Sequence, residues 1–272
     1  MRNYLIFLIA AFGLFACEET LEPEFEPKLV VNAELKTGQR IDSVFISWTA
    51  KITDPYDTEA QRASGAIVKI NGVQLAEYGD APGVYFLDDP NFIVQSGQSY
   101  DLEVIAGEER VASSTTVPAP FSFLAEGVQE GDTVQFTPGS SWFSPAFFTL
   151  TWYNYPGAPL YRIISDADSA NEQTYIEDDR DEANVFKGDK EDRTDPAIWW
   201  ASDNFTRINW MFFNYTGWHN VVVSAMDENY YRYRSGLNFS QFNGQNFNQI
   251  IQNGYGIFSS SSSDTIRVFL VE

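Results

Sequence analysis

The stretch Ala66–Tyr78, AIVKINGVQLAEY, decides how this sequence is read. Two apolar-rich runs, Ala66–Ile70 and Val73–Tyr78, flank Asn71-Gly72. Asn-Gly is the strongest short hairpin signal, because both central residues of the tight turn need positive φ. Outward from this hairpin, short alternating runs separated by turns recur from Lys28 to Val117. Lys28–Leu35 (KLVVNAEL) and Asp42–Thr49 (DSVFISWT) are strands on their alternation, and Gly83–Leu87 follows a Pro-Gly turn. Tyr100–Ile105 and Arg110–Val117 flank Gly107 as a second hairpin. Roughly seven strands with turns about every 8–12 residues predict an immunoglobulin-like β-sandwich over residues 28–118. Pro118 and Pro120 mark its end.

Residues 119–272 form a second, aromatic-rich β domain. Phe147–Tyr153 and Leu160–Ser165 read as strands on either side of Pro156-Gly157-Ala158-Pro159. The block TWYNYPGAPLYRI, residues 151–163, resembles the tryptophan-strand and tyrosine-strand layout of fibronectin-type sandwiches. Arg207–Tyr215 and Trp218–Ala225 are further strands, Asp264–Val271 is a closing strand, and a short helix is expected around Tyr230–Gly236. Residues 166–206 are acidic and Asn-rich, a long irregular insertion of the kind that is more often functional or mobile than structural. The predicted fold class is therefore all-β, with two β-sandwich-like domains and an insertion in the second.

Composition narrows the function. The 272 residues carry 38 acidic and 17 basic side chains, a net charge of −21. Such a chain repels phosphate backbones, so nucleic acid is not expected as a partner. Aromatic residues make up 16%, too many for a disordered acidic polymer. One cysteine allows no internal disulfide, and one histidine removes zinc sites built on several His ligands. No apolar run reaches the roughly 18–20 residues of a membrane-spanning helix.

The N-terminus reads as an address. Met1-Arg2-Asn3 is followed by the apolar run Leu5–Phe15 and then by Ala16-Cys17 and the glutamates Glu18, Glu19, Glu22, Glu24 and Glu26. The run has the length of a signal-peptide core. The boundary Leu14-Phe15-Ala16-Cys17 resembles a bacterial lipoprotein signal, in which the cysteine is lipidated after residues 1–16 are removed. Cys17 is thus the expected lipidation site, and residues 17–27, with Pro23 and Pro27, are an extended acidic stalk. Several acyl chains hold a protein firmly to a membrane where one does not. Acidic residues directly after the cysteine resemble the signal that sends Bacteroidota lipoproteins to the outer face of the outer membrane.

Candidate chemistry is sparse. His219 has no nucleophile motif beside it, no Gly-x-Ser-x-Gly elbow exists, and an enzyme is not expected. Thirty-eight carboxylates guarantee close pairs, so a carboxylate pair carries little specificity. Glu177–Glu182 and Asp189–Asp192 are acidic runs without the spacing of an EF-hand loop, and no metal or other cofactor is expected. Trp199-Trp200 stands in the polar insertion, where adjacent rings do not both face one core. As exposed aromatics the pair is the candidate contact for a protein partner or a glycan. Trp210–Phe213 and Tyr230–Tyr233 read as packing aromatics. Asp42-Ser43-Val44, Asp132-Thr133-Val134, Asp168-Ser169-Ala170 and Asp264-Thr265-Ile266 match the Asp-Ser/Thr-apolar acceptor of Bacteroidota O-glycosylation.

These pieces form a recognisable series. After the cysteine come Pro27-Lys28-Leu29-Val30-Val31-Asn32-Ala33, then Gly65–Ile70, Pro82-Gly83-Val84-Tyr85, Gly97–Val104, Ala112–Pro118 and Asn253-Gly254-Tyr255-Gly256-Ile257-Phe258. In this order they resemble the Bacteroidota lipoprotein family catalogued as domain of unknown function 4249. The resemblance implies an outer-membrane lipoprotein working as an accessory beside a TonB-dependent receptor in ligand uptake. A stand-alone surface protein for glycan binding or adhesion is the alternative. No catalytic or binding residue is carried over with it.

Overall fold

The computed structural model describes residues 25–55, 57–135, 148–153, 155, 158–176, 197–208, 213–243 and 250–271. Cys17, both acidic runs within 177–192 and Trp210–Phe212 lie outside these residues.

The first half contributes β1 (Leu29–Lys36), β2 (Val44–Trp48), β3 (Ile67–Ile70), β4 (Val73–Gln74), β5 (Ala76–Tyr78), β6 (Ala81–Phe86), β7 (Ser99–Ala106) and β8 (Glu109–Thr116). The second contributes β9 (Phe123–Gly127), β10 (Thr133–Gln135), β11 (Phe148–Trp152), β12 (Leu160–Ala167), β13 (Ala197–Ala201), β14 (Phe205–Ile208) and β15 (Gly217–Met226). A helix α1 (Glu228–Asn243) and the long strand β16 (Tyr255–Val271) complete it. The protein is nearly all β, built of open sheets packed in sandwich fashion, as its alternating sequence predicts. Leu29, Val31, Ala33 and Leu35 show why: every second residue of β1 is buried.

The Asn-Gly turn forms as expected, with φ of 49° at Asn71 and 78° at Gly72 and Ile70 opposite Val73. Its second arm differs from the expectation. Val73–Gln74 pairs with β3, whereas Ala76–Tyr78 crosses to another sheet and pairs with β6. The crossing residue, Leu75, is buried in the core, and its N–H still reaches the Val68 carbonyl at 2.8 Å. Burying Leu75 between the sheets breaks the run in two.

Among the described residues, three sheets result. One is continuous in the order β13-β12-β15-β16-β1-β2-β6-β5, with β10 added alongside β16. The sheet β4-β3-β7-β8 faces its β1 end across a core that includes Val31, Ile46, Tyr85, Leu102, Val104 and Phe258. The sheet β14-β11-β9 faces its β12 end across a second core, with Trp152, Tyr161, Ile163, Val223, Ile266 and Val268. Each core holds a buried tyrosine that ties down a loop. Tyr85 donates to the Ala63 carbonyl at 2.7 Å and accepts from the Ala66 N–H at 2.8 Å, while the Tyr161 hydroxyl accepts from the Tyr155 N–H at 3.1 Å.

The two cores share one strand. β16 runs for 17 residues, against the expected closing strand Asp264–Val271. Phe258 packs in the first core and Ile266, Val268 and Leu270 in the second. β16 pairs in parallel with β1 from Tyr255 to Ser261 and antiparallel with β15 from Ser261 to Leu270. Parts of the expected insertion are also regular, since Ala197–Ala201 and Phe205–Ile208 are strands. The helix runs Glu228–Asn243, longer than expected.

Entry into the parallel pairing requires Gly256. Its φ is +99°, and a Cβ there would collide with the Val31 carbonyl. We expect Gly256→Ala to lower unfolding free energy by about 3 kcal/mol, measured by urea denaturation, through strain and steric clash together.

Candidate functional site

Where β16 passes from one core to the other it is polar, yet buried: Ser259 to Ser262 are 0–2% exposed. A buried hydroxyl needs a partner. Ser260 Oγ lies 2.6 Å from Thr115 Oγ1 of β8, Ser261 Oγ donates to Glu34 Oε1 at 2.7 Å, and Ser262 Oγ accepts from the Phe121 N–H at 3.2 Å. The serines thereby connect both halves of the chain.

Two charged groups complete this joint. Glu34 of β1 and Arg162 of β12 form a bidentate pair at 2.8 and 2.9 Å, with side chains only 21% and 15% exposed. Burial opposes the Glu34 charge, but Arg162 and the Ser261 hydroxyl outweigh it and hold the carboxyl below its ordinary range. Burial likewise opposes the Arg162 charge, and Glu34 overcomes it. Tyr230 of α1 lies under the guanidinium, its ring centroid 5.7 Å from Cζ.

Asp227 caps α1, accepting from the Tyr230 N–H at 2.9 Å, and its other oxygen accepts from Thr115 Oγ1 at 2.5 Å. Its own N–H donates to the Ser260 carbonyl at 3.1 Å. Burial pushes its carboxyl from 3.8 up to about 6 despite these hydrogen bonds, and the Glu34 charge adds to the rise. Asn229 Nδ2 donates to the Ser114 carbonyl of β8 at 2.7 Å and the Phe258 carbonyl of β16 at 2.8 Å. Residues 227–229 thus bind the two facing sheets to each other. The arrangement is a clamp. Its serines are enclosed.

The tryptophan pair departs from expectation. Both lie on the edge strand β13, whose alternation sends the rings to opposite faces. Trp199 is 7% exposed and part of the second core, so the expected exposed pair is not present. Trp200 is half-buried on the other face, opposite Arg162, and the Arg234 guanidinium of α1 stacks on it with Cζ 3.3 Å from the ring centroid. His219 is buried, its Nδ1 3.1 Å from the Gly217 carbonyl and its ring edge-on to Phe213. Burial lowers its pKa, which keeps it neutral. In all four glycosylation-type triplets the Ser or Thr is exposed. No group of three or more His, Cys, Asp or Glu is placed to hold a metal among the described residues.

Sequence reasoning passed over Glu34, Arg162 and Asp227. The usable signal for the first two was a charge within an apolar-rich strand, Glu34 in KLVVNAEL and Arg162 in LYRIIS. Surface hollows lie beside Lys28, Arg110 and Tyr255 (about 500 Å³), beside Thr116, Asp227 and Asn229 (about 420 Å³), and beside Phe25, Trp48 and Lys51 (about 550 Å³).

Fold and site together define an all-β sandwich protein whose two cores are bound by a buried polar clamp. The family described as Domain of unknown function (DUF4249) matches residues 18–267, and the chain belongs to that family. No curated protein matches the sequence. Among solved structures, domains 4 and 5 of the S-layer protein SbsC are similar at 12% identity, covering 91% of this chain and 98% of that one. The TM-score is 0.21, too low to bear on fold or function.

Two outcomes follow from the clamp. Glu34→Gln or Arg162→Met alone strands a buried charge or its partner and should cost about 3–5 kcal/mol by chemical denaturation, whereas the double substitution should cost clearly less than the sum. Asp227 holds its proton in the folded state up to a pH near 6, while the unfolded chain releases it near 3.8. Its contribution to stability therefore falls as pH rises between those values, by up to ~3 kcal/mol. Glu34, with a lowered pKa, works in the opposite sense at more acidic pH. Asp227→Asn, which keeps the cap, should flatten the dependence between pH 4 and 6 and leave the acid limb due to Glu34; melting curves across that range check it.

Proposed function

We propose that this protein is a lipid-anchored outer-membrane protein, facing the cell exterior, that acts without catalysis as a binding accessory beside a TonB-dependent receptor in ligand uptake. The observation that carries this reading is the Leu14-Phe15-Ala16-Cys17 boundary followed at once by an acidic, proline-containing stalk. Family membership agrees with it, because the resemblance implies such a role. The fold suits it as well. The stalk leads into β1, a strand paired on both edges within the continuous sheet, so the anchor attaches to an interior strand and not to an edge. Tethering raises the local concentration beside a membrane partner, so modest intrinsic affinity suffices.

Two measurements test the proposal. Palmitate labelling should be present in the full chain and lost in Cys17→Ser. A mild-detergent pull-down of the lipidated protein from its native membrane should retain an outer-membrane β-barrel near equal stoichiometry. Recovery of the lipidated protein alone would count against the accessory role and favour independent action at the surface.

A further inference from the structure

The helix α1 is attached to the rest of the molecule by polar contacts and not by an apolar face. None of its described side chains, residues 228–236, belongs to either core. Its first turn is tied down instead. Asn229 Nδ2 holds the Ser114 carbonyl of β8 and the Phe258 carbonyl of β16, and Asp227 accepts from the Thr115 hydroxyl of β8. Further along, Tyr230 lies against the Arg162 guanidinium and Arg234 stacks on Trp200. β8 is the edge strand of its sheet, so the first turn of α1 covers that edge at Ser114 and Thr115. An element with few buried apolar contacts opens before the cores do.

The attachment turns on a buried carboxyl group. Asp227 is 3% exposed. The elements packed against it offer hydroxyls, Thr115 of β8 and beyond it Ser260 of β16, and one charge of its own sign, Glu34 of β1. Arg162 is engaged in both of its hydrogen bonds to Glu34, and Glu228 of α1 itself adds a second acid beside Asp227. Ionised in this place, the carboxyl has hydrogen bonds and the helix N-terminus in its favour but loses its hydration. A hollow of about 420 Å³, lined by residues 227–229 and by Gly97, Thr116 and Pro118, adjoins it. A small outward movement of the first turn therefore brings water to the carboxyl without disturbing either core. We propose that α1 is a pH-gated strap: with Asp227 protonated its first turn stays closed over the edge of β8, and with Asp227 ionised that turn opens by itself and uncovers Ser114, Thr115 and Thr116. The joint through β16 and the Glu34–Arg162 pair stays closed throughout. The direction follows from the rise of the Asp227 carboxyl from 3.8 to about 6 in the closed state. Opening is least below about pH 4, grows as the pH rises to about 6 and levels off above it. The stability change described above is global; the strap assigns an opening to one element alone.

The test is hydrogen–deuterium exchange of the full chain, followed by peptide mass spectrometry, between about pH 4 and 7 and at several low urea concentrations. Each rate is divided by the intrinsic rate at that pH. The amides of residues 228–236 should exchange through an opening that urea does not promote, and its equilibrium constant should rise roughly 50-fold between pH 4 and 7. The amides of β7, inside the first sandwich, should be far better protected and should exchange faster as urea is added. Asp227→Asn, which keeps the cap, should abolish the pH response of the helix and leave its indifference to urea. Thr115→Val, which removes a hydroxyl that bonds the ionised form, should carry the response to higher pH. Helix amides that match β7 in protection and in urea dependence show that Asp227 titrates with global unfolding alone, and overturn the strap. A local opening that ignores pH, or whose pH response survives in Asp227→Asn or stays at its original pH in Thr115→Val, overturns it as well.

Discussion

A strand that lies under two cores must be extended, thin enough to let two facing sheets meet beside it, and hydrogen-bonded where neither core covers it. Ser259–Ser262 meet all three demands. A larger apolar residue at Ser260 would displace Thr115 and Asp227 from the joint, and an alanine would leave the Thr115 hydroxyl short of a partner. The whole architecture depends on this stretch. Without it, β1 loses its parallel neighbour and β15 one of its two antiparallel neighbours, and the continuous sheet divides in two.

The joint is expensive in desolvation, and its charges show how that cost is met. The fork of Arg162 matches the carboxylate of Glu34 in two hydrogen bonds, a geometry a lysine would not reproduce. Replacing the pair with apolar side chains would fill the space, but it would not fix register. The bidentate pair links β12 and β1 across two intervening strands, and so sets how the second half stands on the first. Buried polar contacts that select one arrangement over others are the best-attested use of such groups. Asp227 lies at the opposite balance: its hydrogen bonds are good, yet among the described residues no cation is paired with it, and burial prevails.

How much of this was legible follows from the range of each interaction. β7 and β8 are one hairpin around Gly107, and β1 alternates cleanly, so local pattern located them to within a residue or two. The first nine residues of β16 were not legible. Glycine and serine are poor strand formers by propensity, and only the crossing of two cores makes a buried serine run favourable there. Glu34 and Arg162 stand 128 residues apart, and nothing local in either strand names the other. Trp199 and Trp200 failed for a related reason. The polar surroundings of residues 166–206 suggested exposure, but β13 pairs with β12 and strand alternation places one ring in the core.

The asparagine–glycine element before β16 gains a physical meaning from the structure. In Asn253-Gly254-Tyr255-Gly256-Ile257-Phe258, Gly256 lets β16 approach the β1 backbone, Ile257 is buried, and Phe258 anchors the first core. The element that made the family resemblance distinctive is therefore the start of the shared strand, and its constraint is architectural. The same element holds the two sandwiches in a fixed relation. A ligand or partner that touches either half meets a surface whose position is set by the other, through β16 and the Glu34–Arg162 pair. If the chain works tethered beside a membrane receptor, as proposed, the fixed relation leaves its two halves no relative freedom to lose on docking, which removes part of the entropy that docking would otherwise cost.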